Sequence, residues 1–218
     1  MQYMIHTCNK RKWYVEQHLV PSMLRQGIKP EDITVWLDDK ELGNLKAWVA
    51  SCKDLPSTGS TWHLQDDVVI SPHFRKITEK NTDGIICGFA SVYCKQYPPG
   101  KVGLSQMWYS FPCIHIPNEL AHEFVEWYDK IKDGQEYKKY IDANRSDDSM
   151  FMFFLEAEHK GMQITNYSPN LVDNVDYLIG GSLVNKNRSD EVKALYFKDH
   201  EVVEQLERKL NGKYRYSY

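Results

Sequence analysis

The chain has 218 residues, 42% of them hydrophobic and 13% aromatic, and its 27 basic and 30 acidic side chains leave a formal net charge of −3. That is chain enough for one packed α/β domain, too apolar for a disordered one, and too evenly charged to be drawn as a whole to nucleic acid or a membrane. Five cysteines with no C-x-x-C pair supply no disulfide framework, no apolar run approaches a membrane span, and the N-terminus lacks a signal-peptide core, so a soluble, cytoplasmic protein without membrane contact is expected.

Gln2 to Thr7 reads as a buried strand, followed by the polar stretch Cys8 to Lys12. A helical spacing then puts Trp13, Gln17, Val20 and Leu24 on one side, with Pro21 as an interruption and Gly27 as the stop. Ile33 to Leu37 is a β-branched and aromatic strand that ends in Asp38-Asp39. Leu45 to Lys53 reads as a helix, and Ser60 to Leu64 as a strand ending in Gln65-Asp66-Asp67 before Val68 to Ile70. Pro72 to Lys80 reads as helical, Gly84 to Ala90 as a fourth strand, and Gly103 to Ile116 as an extended, aromatic segment. Asn118 is placed as the cap of a helix carrying Leu120, Phe124, Trp127 and Ile131, Gly134 to Asn144 as a polar connection, and Ser146 as the cap of a helix that buries Met150, Phe151, Phe154 and Leu155. Gln163 to Thr165 is a short strand, and His200 to Leu210 the last helix. No repeat, linker or break in composition divides the chain. One domain over residues 1–211 is expected, with a flexible basic and aromatic tail over 212–218.

Alternation of strands and helices predicts a mostly parallel central sheet with helices on both faces, whose ligands sit beyond the carboxyl ends of the strands. The first three strands all end in polar groups: Asn9 with Arg11, Asp38 with Asp39, and Asp66 with Asp67. Adjacent carboxylates repel unless something positive joins them, and Mg²⁺ or Mn²⁺ bridging them to phosphates is the simplest joiner; the plainer alternative is one capping Asp and one solvated Asp. Asp38 or Asp39 could accept hydrogen bonds from a ribose or base, or could stand in a solvated turn. Arg11 with Lys12 could meet a pyrophosphate or begin a solvated helix. Asp147-Asp148 opens a helix, where the dipole alone favours acids, or supplies a general base. No Cys/His spacing for zinc, no G-x-S-x-G elbow and no Gly-rich phosphate loop competes with these groups, and His63, His115 and His159 read as packed or surface side chains.

Together these stretches resemble glycosyltransferases of the GT-A type. Met4 to Arg11, with Thr7, Asn9 and Arg11, looks like their opening strand and nucleotide loop, and Trp36 to Asp39 like their second strand. His63 to Val68 looks like the metal motif, Ser146 to Phe151 like the acceptor-side acid, and Tyr167 to Asn174 with Ile179 to Arg188 like the segments that follow. The resemblance implies a GT-A-like three-layer sandwich. It also implies transfer of a hexose from a nucleoside-diphosphate sugar, with Thr7, Asn9, Arg11, Asp38, Asp39, Asp66 and Arg188 at the donor and Asp66, Asp67 and Asn174 at Mn²⁺ or Mg²⁺. Asp148 is the implied base, with Asp147 behind it. Two positions depart from the pattern: Gln65 stands where the motif begins with an acid, and Asn174 where many relatives have His, with Asp173 or Asp176 as substitutes. The implied acceptor is a glycan, a small molecule or a hydroxymethylated base in phage DNA, for which Trp108, Tyr109, Phe111 and the tail Lys213 to Tyr216 offer aromatic and basic groups; the plainer alternative is that these aromatics are core and the tail is solvated. The rival readings are a catalytically idle nucleotide- or sugar-binding module, a nucleotidyltransferase, or a nucleotide-sugar hydrolase.

Overall fold

The computed structural model describes residues 1–90, 99–103, 111–143, 147–181, 194 and 197–210. Its frame is a seven-stranded sheet in the order β2-β1-β3-β7-β5-β8-β6. The strands are β1 (Gln2–Cys8), β2 (Ile33–Asp38), β3 (Ser60–Gln65), β5 (Ile86–Cys87), β6 (Gly100–Gly103), β7 (Cys113–Pro117) and β8 (Gln163–Asn166). The pairings run β1, β2, β3, β5 and β8 in one direction and β6 and β7 in the other, so the sheet is mostly parallel, as alternation predicts.

Side-chain alternation along the strands builds a core on each face. On β1, Met4 enters one core while Tyr3 and Ile5 enter the other, and on β7 Ile114 and Ile116 are separated in the same way from Cys113. The Met4 side is covered by α3 (Asn44–Lys53), α5 (Asn118–Ile131) and α7 (Asp147–Glu158), through Trp48, Phe124, Phe151 and Phe154. The Ile5 side is covered by the helical stretch after β1, by α4 (Phe74–Thr78) and by α8 (His200–Leu210), through Tyr14, Leu19, Phe74 and Leu206. Three layers result.

The helical stretch after β1 differs from its predicted face. It consists of α1 (Lys12–Tyr14), a π turn over Val15–Leu19 and α2 (Val20–Arg25). It buries Tyr14, Val15, Leu19 and Met23, whereas Gln17 is exposed and Leu24 is 40% exposed. A π turn holds more residues than an α turn, which rotates the following side chains onto another face and defeats a 3.6-residue reading. Three smaller differences have local causes. Gly84 to Ala90 is regular strand only at Ile86–Cys87, because Gly88 turns its N–H to the Cys113 carbonyl and its carbonyl to the Leu171 N–H. Asn118 is the first helical residue rather than the cap, its amide being spent on the Thr61 hydroxyl and the Thr58 carbonyl. The polar connection holds α6 (Lys138–Ala143), whose single buried residue, Ile141, gives no apolar period to read. Ser146 lies outside the described residues. Among those described, no helix is long and apolar enough to cross a membrane.

Candidate active site

Parallel pairing brings the strand ends level. Cys8 stands opposite Asp38, and His6 opposite Gln65, so the residues that follow β3 arrive beside Thr7 and Cys8. There the chain leaves the main sheet. Asp66 and Asp67 form a two-residue turn, and β4 (Val68–Ile70) pairs instead with β9 (Val172–Asn174), Val68 facing Asn174. The acidic pair thus sits where one sheet hands the chain to another, its backbone held by the Val175 N–H, which donates to the Asp67 carbonyl at 2.7 Å.

Both carboxylates are buried, and what joins them is Arg11. Its Nη1 donates to Asp66 Oδ1 at 3.0 Å and to Asp67 Oδ2 at 2.6 Å, and its Nη2 donates to the Gly181 carbonyl at 2.8 Å. The glycine pair Gly180-Gly181 holds positive φ values of 114° and 78°, conformations that suit residues without Cβ and that aim this carbonyl inward. Asp66 Oδ2 accepts from the Thr7 hydroxyl at 3.0 Å and from the Cys8 N–H at 3.3 Å. Burial pushes the Asp66 carboxyl up to about 6, against the pull of Arg11 and with the push of Asp67. Burial opposes the charge on Arg11, but the two carboxylates more than offset it and raise its pKa. Two buried atoms of this trio, Arg11 Nε and Asp67 Oδ1, have no hydrogen-bond partner among the described residues.

Asp147, at the start of α7, is buried as well. Burial first, then the charge of Asp148, pushes its carboxyl up to about 7, and Asp67 adds to the rise. Asp148 is less buried and accepts from the Ser149 N–H at 2.7 Å. Asp38 spends both oxygens on its own loop, accepting from the Leu42 and Gly43 N–H groups at 2.9 and 3.0 Å, while Asn9 and Asp39 are exposed. Asn174 is buried and its Oδ1 accepts from the Asp176 N–H; Asp173 Oδ1 accepts from the N–H groups of Asn174 and Ala194. Arg188, Trp108, Tyr109 and the tail lie outside the described residues. Of its two readings Phe111 takes the plainer and is core: it packs against Trp48 and Phe151.

The structure therefore brings together Thr7, Arg11, Asp66 and Asp67, and leaves Asn9 and Asp39 in solvent. The Gly181 carbonyl, partner of Arg11, was not expected from the sequence; the adjacent glycines 180 and 181 were the available signal of an unusual backbone. Nor was the His6–His63 contact at 3.0 Å beneath Trp48, for which alternation along neighbouring strands was the available signal. The donor set suits a hard divalent ion in kind: two converging carboxylates, with one buried oxygen still unpartnered. Among the described residues no three His, Cys, Asp or Glu side chains gather as a metal cluster, so phosphate and water oxygens would have to complete the coordination, as is common for Mg²⁺ and Mn²⁺.

No family model matches the sequence, and no curated protein matches it. Several solved structures are similar in fold. The galactosyltransferase LgtC, solved with donor and acceptor sugar analogs, is 10% identical over 100% of this chain and 98% of its own, with a TM-score of 0.43. The inositol-1-phosphate CTP transferase from T. maritima is 11% identical over 77% of this chain and 85% of its own, at a TM-score of 0.38. HddC from Yersinia pseudotuberculosis is 10% identical over 77% and 90%, also at 0.38. Likenesses this distant decide neither family nor chemistry.

Proposed function

We propose that the chain is a GT-A-like glycosyltransferase that moves a hexose from a nucleoside-diphosphate sugar to an acceptor hydroxyl. The observation that carries this reading is the convergence of Asp66, Asp67 and Arg11 at the carboxyl ends of parallel strands, with Asp147 close enough to Asp67 to feel its charge. Asp66 and Asp67 would hold Mg²⁺ or Mn²⁺, with Asn174 on the facing strand as a neutral oxygen. When bound, such an ion supplies positive charge to the departing diphosphate.

The chain's own residues do the rest. Thr7 and the Cys8 N–H fix Asp66, so its carboxylate needs no reorganisation when the donor arrives. Asn9, Asp38, Asp39 and Arg188 are the proposed contacts for base, ribose and phosphate. Asp38 acts by shaping the loop through Leu42 and Gly43 as much as by direct contact. The acceptor hydroxyl attacks the anomeric carbon, the C–O bond to the diphosphate breaks with its electron pair leaving on the phosphate, and the hydroxyl proton passes to a carboxylate. Asp147 suits that last role better than Asp148, because a carboxyl near 7 is matched to accepting a proton at neutral pH. The acceptor is a glycan, a small molecule or a modified DNA base.

Incubation with a panel of nucleotide sugars and Mn²⁺ tests the reading. Release of nucleoside diphosphate that rises with added acceptor is the expected result. Release independent of acceptor indicates hydrolysis, release of pyrophosphate on mixing nucleoside triphosphate with sugar phosphate indicates nucleotidyl transfer, and binding without turnover indicates an idle module.

A further inference from the structure

The Asp66–Asp67 pair already has a cation, and it belongs to the protein. Arg11 Nη1 lies within hydrogen-bonding distance of one oxygen from each carboxylate, which is where a bridging metal ion would also gain most. From these contacts we infer that Arg11 and a divalent cation compete for the charge of the same two carboxylates, so that metal entry weakens the guanidinium's hold on them. The inference rests on the proposed donor site and adds to it a residue that sets metal affinity.

Two carboxylates and one guanidinium sum to a single negative charge, in a place where Arg11 is 5% exposed and Asp67 9% exposed. A bare divalent ion would turn the buried cluster positive while still facing Arg11, an arrangement that low-dielectric surroundings penalise. A divalent ion arriving with a diphosphate brings the compensating anion. The unpartnered donor Arg11 Nε is then available to it, and the unpartnered acceptor Asp67 Oδ1 to the metal. Metal alone should therefore bind weakly, metal with nucleoside diphosphate should bind in mutual support, and by linkage each should raise the other's affinity by the same factor. A purely structural guanidinium staple makes neither demand.

Mn²⁺ binding, read from the EPR signal of the free ion, tests this on wild type, Arg11→Met, Arg11→Lys and Arg11→Met/Asp67→Asn, with and without UDP. For Mn²⁺ alone, Arg11→Met should bind at least about tenfold tighter than wild type, Arg11→Lys should fall between them, and the double variant should lose the gain. Mn²⁺ should also raise the melting temperature of Arg11→Met more than that of wild type. If Arg11→Met does not fold by itself, Mn²⁺ should restore its helical circular dichroism. Failure to do so, alongside a folded Arg11→Lys that binds Mn²⁺ no tighter than wild type, overturns the inference. So does a folded Arg11→Met whose affinity for Mn²⁺ is equal to or below that of wild type. In either case the donor-site reading survives if wild type still binds Mn²⁺ with UDP. Absence of Mn²⁺ binding in every protein, with or without UDP, removes both.

Discussion

Burial acts in opposite senses on the titratable groups near the site. Asp147, pushed from 3.8 up to about 7, holds its proton more tightly in the folded chain than in the unfolded one. The folded state therefore binds more protons across that window, and stability falls as pH rises from about 4 through 7. Asp147→Asn should flatten this slope in urea-melting midpoints measured against pH, and should also lower kcat far more than donor affinity while abolishing an ionisation near 7 in the rate profile. Parallel losses of kcat and donor binding, with the slope unchanged, would show a cap instead of a base. His6 moves the other way. Packed against His63 and Trp48, it is lowered by burial from 6.5 to about 3, so the unfolded chain takes up the proton first. Its contribution to stability is complete above 6.5 and is lost as pH falls toward 3; His6→Gln should make the midpoint less sensitive to acid over that range. Of these features, the acidic pairs were legible because aspartates at strand ends stand out in sequence. Their counter-ion was not: Arg11 reaches Asp66 and Asp67 across 55 and 56 positions of chain, and only strand register brings them together.

Strands were easier to read than helix faces. β1 and β3 are legible because the two cores demand apolar side chains on both faces of the sheet there. β2, at the sheet edge, reads as strand from its β-branched and aromatic run, although only Ile33 and Trp36 pack partly against the cores and Val35 is exposed. The stretch after β1 carries apolar residues at both possible helical faces, and the π turn over Val15–Leu19 chooses between them, a choice no single period expresses. Gly88 is another position that packing alone explains. A Cβ there would stand 2.7 Å from Cys113 Sγ, 3.2 Å from Leu171 and 3.3 Å from Trp62, just past the end of β5, where the Gly88 carbonyl accepts from the Leu171 N–H. Gly88→Ala should destabilise by about 1–3 kcal/mol in chemical denaturation, the range for overpacking a closed interior. No loss would mean that β5 and β7 separate more easily than their spacing implies.

At the scale of the molecule, the sheet delivers three strand ends to one edge while β4 and β9 form a second, two-stranded sheet beside it. The catalytic proposal depends on that handover, since it is the turn between β3 and β4 that presents both aspartates to Arg11. Asp67→Asn removes one of two negative charges facing one positive charge, so the variant should fold with little change in melting temperature while losing about a hundredfold or more in kcat/KM. The central claim, that this turn grips a nucleoside diphosphate through a cation, is tested most directly by calorimetric titration of UDP in the presence of Mn²⁺ into wild type and Asp67→Asn. Saturable binding by wild type that Asp67→Asn weakens at least about tenfold is the predicted result; equal binding by the two proteins would contradict it.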